Sequence, residues 1–146
     1  MLETTPLNIT DAEWEVMRVV WANKYVTSRK IRDVLEVEKD WKSATIKTLL
    51  GRLVDKGALR TEKDGRRFIY SAVVTEQESM ATFIDDVLSR VCNKQSGNVI
   101  GDIVERTELS KSDIAMLQEL LEEKEKTALD EVPCGCIEGQ CECHLH

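Results

Sequence analysis

The chain has 146 residues, of which 42% are apolar and 32% are charged, and its formal net charge is −7. A chain of this length can bury a core without disulfide staples, and no apolar run approaches the roughly 18 residues of a membrane span. Residues 1–5 lack the basic and apolar regions of a secretory signal. We therefore expect a cytoplasmic protein with no membrane partner and with reduced cysteines.

The charge is distributed unevenly along the chain. Residues 1–72 carry 14 Lys and Arg against 11 Asp and Glu, whereas residues 73–146 carry 6 against 16. A basic first half with an acidic remainder is compatible with one directed DNA-binding face, and it is a poor match for general nucleic-acid coating. With only 2 prolines and 7 glycines, the composition predicts a mainly α-helical protein.

The first two helices are marked by their start signals. Thr10 and Glu13 have the spacing of a capping box, and the apolar residues that follow at helical spacing predict a helix to about Asn23. A second helix is expected after Thr27–Ser28, with a short extended segment before it. The three tryptophans are expected to pack in and around the core: Trp14, Trp21 and Trp41.

The third helix is predicted to begin with Ser43 as its N-cap and to end at Gly57. Its leucines and isoleucine fall within one arc at 100° per residue, and the opposite arc is small, hydroxylated and basic. Such an arc suits the major groove of DNA, where hydroxyls and cations contact base edges and phosphates. The residues expected to contact DNA from this helix are Ser43, Thr45, Lys47, Thr48 and Arg52.

A hairpin is predicted next, because Asp64-Gly65 lies between two strand-like segments. Arg66 and Arg67, after this turn, are expected to contact phosphate or the minor groove from the wing. Three helices followed by a basic hairpin predict a winged helix-turn-helix DNA-binding domain. The alternative is that such a domain mediates protein contacts and that its basic hairpin is a solvated loop.

The second half is predicted to contain three short amphipathic helices. They could fold back on the winged domain, but a dimerisation region is favoured because one recognition helix reads few base pairs and pairing doubles the site. We thus expect a DNA-binding domain at residues 1–73, a helical dimerisation region at 74–130 and a Cys-rich metal-binding tail at 131–146.

The tail holds four of the five cysteines in two CxC pairs. Four thiolates so close in sequence can enclose one soft metal ion, such as zinc, copper(I) or the iron of a cluster. A disulfide staple is the alternative, but bridges here would close only very small loops. The predicted ligands are Cys134, Cys136, Cys141 and Cys143. Cys92 is interpreted as a small buried apolar residue, and His144 and His146 are expected to remain outside the completed tetrahedron.

Segments 14–21, 41–57 and 67–70 resemble the penicillinase-repressor family of winged-helix regulators, and the CxCxxxxCxC tail resembles its copper-responsive, CopY-type branch. The resemblance implies a homodimeric repressor that binds an inverted-repeat operator of copper-homeostasis genes in a Zn(II) form. It also implies release when Cu(I), donated by a copper chaperone, displaces zinc from Cys134, Cys136, Cys141 and Cys143. The Asn-Phe bond at which the β-lactam branch is cleaved is absent, because Phe68 and Phe83 follow Arg67 and Thr82.

Three other functions are alternatives to this one. A metal buffer or chaperone does not need a capped, basic third helix with a hairpin behind it. A repressor of the same fold that senses zinc, cadmium or silver stays open, because thiolates bind all of these soft ions. An enzyme is not expected, because there is no phosphate-binding glycine loop and the two histidines lie at the extreme terminus.

Overall fold

The structure, a computed structural model, describes residues 7–145 and the side chains of residues 7–143. The chain divides into two compact units, one ending at Ile84 and the other beginning at Asp85. Up to residue 72, the first unit holds three helices and three strands in this order: α1 Asp11–Asn23, β1 Tyr25–Thr27, α2 Ser28–Lys39, α3 Ser43–Asp55, β2 Leu59–Asp64 and β3 Arg67–Ala72. Helix α4 Glu76–Ser89 follows, and then α5 Ser96–Arg106 and α6 Lys111–Glu125, with single 3-10 turns at Asn93–Gln95 and Glu142–Leu145. No helix among the described residues is long and apolar enough to cross a membrane.

The first unit is a winged helix, as predicted. Its antiparallel sheet has the order β1-β3-β2, so the hairpin of β2 and β3 is the wing and β1 joins it on the β3 side. The three helices pack their apolar faces together with β1 and the start of β2, and Met17, Ile31, Ile46 and Leu53 are fully buried. This core leaves the opposite face of α3 exposed.

Helix α1 is fixed at its first turn, where Glu13 makes contacts within the helix and to α3. The predicted capping box is present, with the Glu13 amide donating to Thr10 Oγ1 and the Thr10 amide donating to Glu13 Oε1. The Glu13 side chain is fully buried and accepts a hydrogen bond from Lys56 Nζ at the end of α3. Burial raises the pKa of Glu13, but the bonds from Lys56 and Thr10 lower it more, so the net shift is downward. The ion pair therefore stabilises the contact between α1 and α3.

Helix α3 begins one residue earlier than the sequence predicted. Lys42 is the N-cap and has no side-chain cap bond, while Ser43 is the first helical residue, so the prediction of Ser43 as the N-cap is wrong. The Ser43 hydroxyl instead accepts a bond from Arg32 Nη1 at 3.3 Å. At the other end, Gly57 has φ +83°, its amide donates to the Val54 carbonyl, and the Ala58 amide donates to the Leu53 carbonyl. These two bonds form a Schellman motif, which ends the helix at the predicted place.

The wing turns within two residues, Gly65 and Arg66, since Asp64 and Arg67 are paired across the hairpin. Of these two, Gly65 has a positive φ of 65° and Arg66 does not, which is the pattern of a type II′ turn. The hairpin thus turns at Gly65-Arg66, one residue after the predicted Asp64-Gly65. Arg66 consequently lies at the tip of the wing and Arg67 begins the returning strand.

The three predicted helices of the second half are present. Ser110 begins α6 with a capping box to Asp113, and Thr75 Oγ1 accepts from the Glu78 amide at the start of α4. No residue of α5 or α6 is buried within the described chain. Their exposed large apolar side chains are Ile100, Ile103, Val104, Ile114, Met116, Leu120 and Leu121.

Candidate DNA-binding surface and metal centre

The predicted DNA-contacting residues of α3 lie together on its exposed face. Ile46 and Leu53 face the core and are fully buried, so the residues between them at the opposite helical angle are directed to solvent. The exposed residues include every one that the sequence predicted on this helix: Ser43, Thr45, Lys47, Thr48 and Arg52. The Thr48 hydroxyl donates to the Ala44 carbonyl at 2.9 Å, which leaves its oxygen as an acceptor toward a ligand.

The wing supplies two further cations. Arg66 and Arg67 are both exposed, and Arg67 Nη2 lies 3.2 Å from Asp64 Oδ2. This exposed pair holds the Arg67 side chain across the turn, while contributing little to stability. Arg66 carries its charge at the tip of the hairpin.

A concave surface of about 500 Å³ lies between α3 and the wing. Arg32 and Lys47 contribute cations to it, and Phe68 and Tyr70 form an aromatic wall. The Nε atom of Arg32 is buried without a hydrogen-bond partner. Arg32 was not among the predicted contacts, because nothing in the sequence shows that α2 brings it beside the start of α3.

Three of the four predicted tail thiols, those of Cys134, Cys136 and Cys141, lie close together. Cys134 Sγ lies 3.3 Å from Cys141 Sγ, and the Cys136 amide donates to Cys134 Sγ at 3.4 Å. The structure has each of the five cysteines as a thiol. The donors are therefore all sulfur, which fits a soft metal ion.

Cys92 belongs to the same cluster, so its interpretation as a buried apolar residue is wrong. It is partly exposed, and its Sγ lies 3.6 Å from the Sγ atoms of both Cys134 and Cys143. Cys92, Cys134, Cys136 and Cys141 form a set whose sulfur atoms all lie within 4.8 Å of one another. The sequence contained a signal for this role, because Cys92 is the one cysteine of the five that lies outside the predicted metal site.

The thiols differ in acidity. The Cys136 amide and a hydrogen bond with Cys141 lower the pKa of Cys134 to about 6. Burial and hydrogen bonds led by Cys134 raise the pKa of Cys136 to about 12, and a hydrogen bond with Cys92, followed by one with Cys141, raises the pKa of Cys143 to about 12. Cys134 therefore ionises before Cys136 and Cys143, and a metal ion that binds the Cys136 sulfur must displace its proton.

Contacts beside Cys92 hold the tail against this part of the chain. The backbone of Gly135 lies so close to Asn93 that an added Cβ would be 2.8 Å from Asn93 Nδ2. Lys94 Nζ lies 3.9 Å from Glu131 Oε2. The side chains of His144 and His146 are outside the described residues, so their predicted place outside the metal site stays a prediction.

Known proteins resemble this chain over most of its length. Residues 9–123 match the penicillinase repressor family. The penicillinase repressor of Bacillus licheniformis is 33% identical over 79% of this chain and 90% of that protein. The solved structure of the Bacillus licheniformis BlaI monomer with the blaP half-operator is 36% identical over 51% of this chain and 90% of that one, with a TM-score of 0.46. A CopR repressor structure is 45% identical over 46% of this chain and 97% of that one, with a TM-score of 0.41.

The family match covers the winged helix and continues through most of α6. The relatives that it includes are repressors and not enzymes. The chain belongs to the penicillinase repressor family of transcriptional repressors.

Proposed function

We propose that this chain is a copper-responsive transcriptional repressor. In its Zn(II) form it binds an inverted-repeat operator of copper-homeostasis genes as a cytoplasmic homodimer, and it releases the operator when Cu(I) displaces zinc. Residues 1–73 bind DNA, residues 74–130 pair the subunits and residues 131–146 carry the tail ligands. The observation that carries the proposal is a thiol cluster, with four sulfur atoms within 4.8 Å, in a chain of a repressor family.

The exposed face of α3 and the wing support the DNA-binding part. Thr45, Lys47 and Arg52 offer a hydroxyl, an ammonium and a guanidinium that can contact base edges in the major groove. Arg66 at the wing tip can contact phosphate or the minor groove at the side of the same site. The BlaI protein bound to a half-operator is a relative in which this kind of chain contacts operator DNA.

The exposed apolar residues of the second unit support the homodimer. Leu120 and Leu121 are 56% and 63% exposed in the single chain, and Ile103 is 55% exposed. Apolar side chains at helical spacing on two successive helices are costly to leave in water. A second copy of the chain would cover them and would place two recognition helices on one operator, which gives the inverted repeat.

The chemistry of the thiols supports the choice of metals. Four thiolates can hold zinc in a closed tetrahedral site, which leaves no open position for catalysis. Copper(I) is softer and binds thiolates more tightly, so it can take the zinc ligands. If two copper(I) ions replace one zinc ion, the charge of the cluster is unchanged, and the exchange then acts on the operator through the geometry of the tail. The family match ends at residue 123, before the tail, so the metal response rests on these thiols.

Operator binding measured against metal tests the proposal. The zinc-loaded protein would first select its site from random duplex DNA, and an inverted repeat is expected. Adding Cu(I) to this complex should weaken binding by about 5–150-fold, the usual range of an allosteric coupling. Parallel titrations with silver(I), cadmium and excess zinc identify the ion that is sensed, since thiolates alone accept all of them.

The matched control is a variant in which Cys134, Cys136, Cys141 and Cys143 are all serine. It should no longer respond to copper(I), because the tail ligands are gone, while its winged helix remains intact. Unchanged operator affinity of the wild-type protein on adding Cu(I) would contradict the proposed function. A response that persists in the serine variant would contradict the assignment of the tail as the sensor.

A further inference from the structure

We propose that Cys92 is a metal ligand, which completes a four-sulfur site with Cys134, Cys136 and Cys141 and leaves Cys143 outside it. This inference rests on the metal-responsive function proposed above and assigns its site. It replaces the arrangement that the two CxC pairs suggest, in which the tail alone encloses the ion. The site is instead shared between the tail and the segment that follows α4.

The distances among the sulfur atoms carry the assignment. A tetrahedral zinc site with Zn–S bonds near 2.3 Å has its sulfur atoms about 3.8 Å apart. Cys92 Sγ is 3.6 Å from Cys134 Sγ, and the set that includes Cys136 and Cys141 lies within 4.8 Å throughout. Small movements therefore bring these four sulfurs onto one ion. Cys143 is 3.6 Å from Cys92 and also hydrogen-bonds with Cys141, but it is not a member of the set in which every sulfur lies within 4.8 Å of every other.

Two neighbouring contacts also join the residues beside Cys92 to the tail. Gly135, between two of the tail ligands, lies against the side chain of Asn93, where a Cβ would come within 2.8 Å of its amide nitrogen. Lys94 and Glu131 form an ion pair at 3.9 Å just before the first tail cysteine. Cys92 thus contacts the tail through its sulfur, Asn93 through packing and Lys94 through its charge. The approach of Cys92 to the tail therefore does not depend on a single contact.

A ligand at position 92 gives the metal a direct connection to α4. Cys92 lies three residues after the end of α4, so a change in coordination at its sulfur acts on the segment that joins α4 to α5. A site made only of residues 134–143 would be connected to the helices through the stretch that follows α6. The shared site therefore supplies the geometric link that the proposed copper response requires.

Cobalt(II) is a suitable probe, because it occupies zinc sites and its sulfur charge-transfer absorption grows with the number of thiolate ligands. The Cys143→Ser variant of the full chain keeps the proposed four ligands, so it should retain the wild-type absorption and metal affinity. Adding Cys92→Ser to that variant should remove about a quarter of the absorption and weaken binding by roughly tenfold or more. Ser89→Ala in the same Cys143→Ser background is the matched control, since it changes an exposed residue one turn earlier, and it should have no effect.

The opposite pattern would overturn the assignment. If the tail alone bound the ion, Cys143→Ser would already lose a quarter of the absorption, and the added Cys92→Ser would change nothing. Either result is independent of DNA, so it is separable from failure of the proposed function. A chain that binds cobalt as expected but whose operator affinity ignores copper(I) would keep the site and lose the copper response.

A second experiment tests the same proximity without metal. A variant that retains only Cys92 and Cys134, with the other three cysteines changed to serine, would be treated with diamide, which takes two electrons and two protons from a thiol pair. The 3.6 Å separation of the two sulfurs should yield a disulfide within one chain, identified as a linked peptide by mass spectrometry. Disulfides formed only between copies would contradict the arrangement.

Discussion

Arg52 lies on the exposed face of α3, one helical turn after Thr48. Ser43 Oγ accepts a bond from Arg32, and the Thr48 hydroxyl donates to the Ala44 carbonyl, so each hydroxyl has only part of its hydrogen-bonding capacity left for a base. A guanidinium has five donors in a rigid fork and can contact two acceptors of guanine at once. Among the predicted contacts of α3, Arg52 is therefore the residue best suited to read a base.

We expect Arg52→Ala to weaken operator binding by about 1–3 kcal/mol if the arginine reads a guanine. Arg52→Lys should lose most of the same energy, because lysine keeps the charge but cannot form the paired contact. Fluorescence anisotropy with the selected operator, and with operators changed at single positions, would measure both variants. Loss of specificity at one base pair is the expected signature.

Arg18→Ala is the control for this prediction, because Arg18 is an exposed arginine of α1 that is not among the predicted contacts. It should leave operator affinity nearly unchanged. Equal behaviour of the Arg52 and Arg18 variants would mean that Arg52 is a solvent-exposed surface charge.

At the scale of the element, the orientation of the wing follows from how α3 ends. Gly57 takes a positive φ of 83°, and the Schellman bonds around it direct the chain into β2. A side chain at such a backbone angle is strained by about 1–2 kcal/mol. Gly51, in the middle of the same helix, is exposed and has open space around the position of a Cβ.

These two glycines give a matched pair of variants with opposite expected signs. Gly57→Ala should lower the free energy of unfolding by about 1–2 kcal/mol because of the strain at positive φ. Gly51→Ala should raise it by about 0.5–1 kcal/mol, because alanine is the better helix former and no atom obstructs its methyl group. Urea unfolding followed by tryptophan fluorescence measures both, since all three tryptophans lie within residues 14–41. Stabilisation by both substitutions would contradict the helix end described here.

The contrast between the caps and Cys92 explains how far the sequence predicts this structure. The capping box at Thr10, the end of α3 at Gly57 and the amphipathic helices depend on residues a few positions apart, so local patterns reveal them. The predicted N-cap of α3 is wrong because the Ser43 hydroxyl accepts a bond from Arg32 on another helix and does not cap α3. The interpretation of Cys92 as a buried apolar residue is wrong for a similar reason. Its partner Cys134 is 42 residues away, and such a contact leaves no periodic signal in the sequence.

At the scale of the whole molecule, the exposed apolar side chains of α5 and α6 form the surface that a second copy of the chain is expected to cover. Neither helix has a buried residue, and the apolar side chains of Ile103, Leu120 and Leu121 are more than half exposed. In contrast, the winged helix buries its own core completely around Met17. The DNA-binding unit can therefore be stable by itself, while the second half is expected to depend on pairing.

We expect Leu121→Glu to disrupt the homodimer, because it places a charge within the proposed apolar interface, where a buried and unpaired carboxylate is costly. Sedimentation of the zinc-loaded variant should show a shift toward monomer at concentrations where the wild type is dimeric. Operator affinity should then fall by about 10²–10⁴-fold toward that of a half-site, because the second subunit no longer benefits from the binding of the first. Ala115→Glu adds the same charge on the acidic side of α6 and should leave both measurements unchanged. A Leu121→Glu chain that remains dimeric would contradict a dimer interface on this face of α6, even if operator binding were lost.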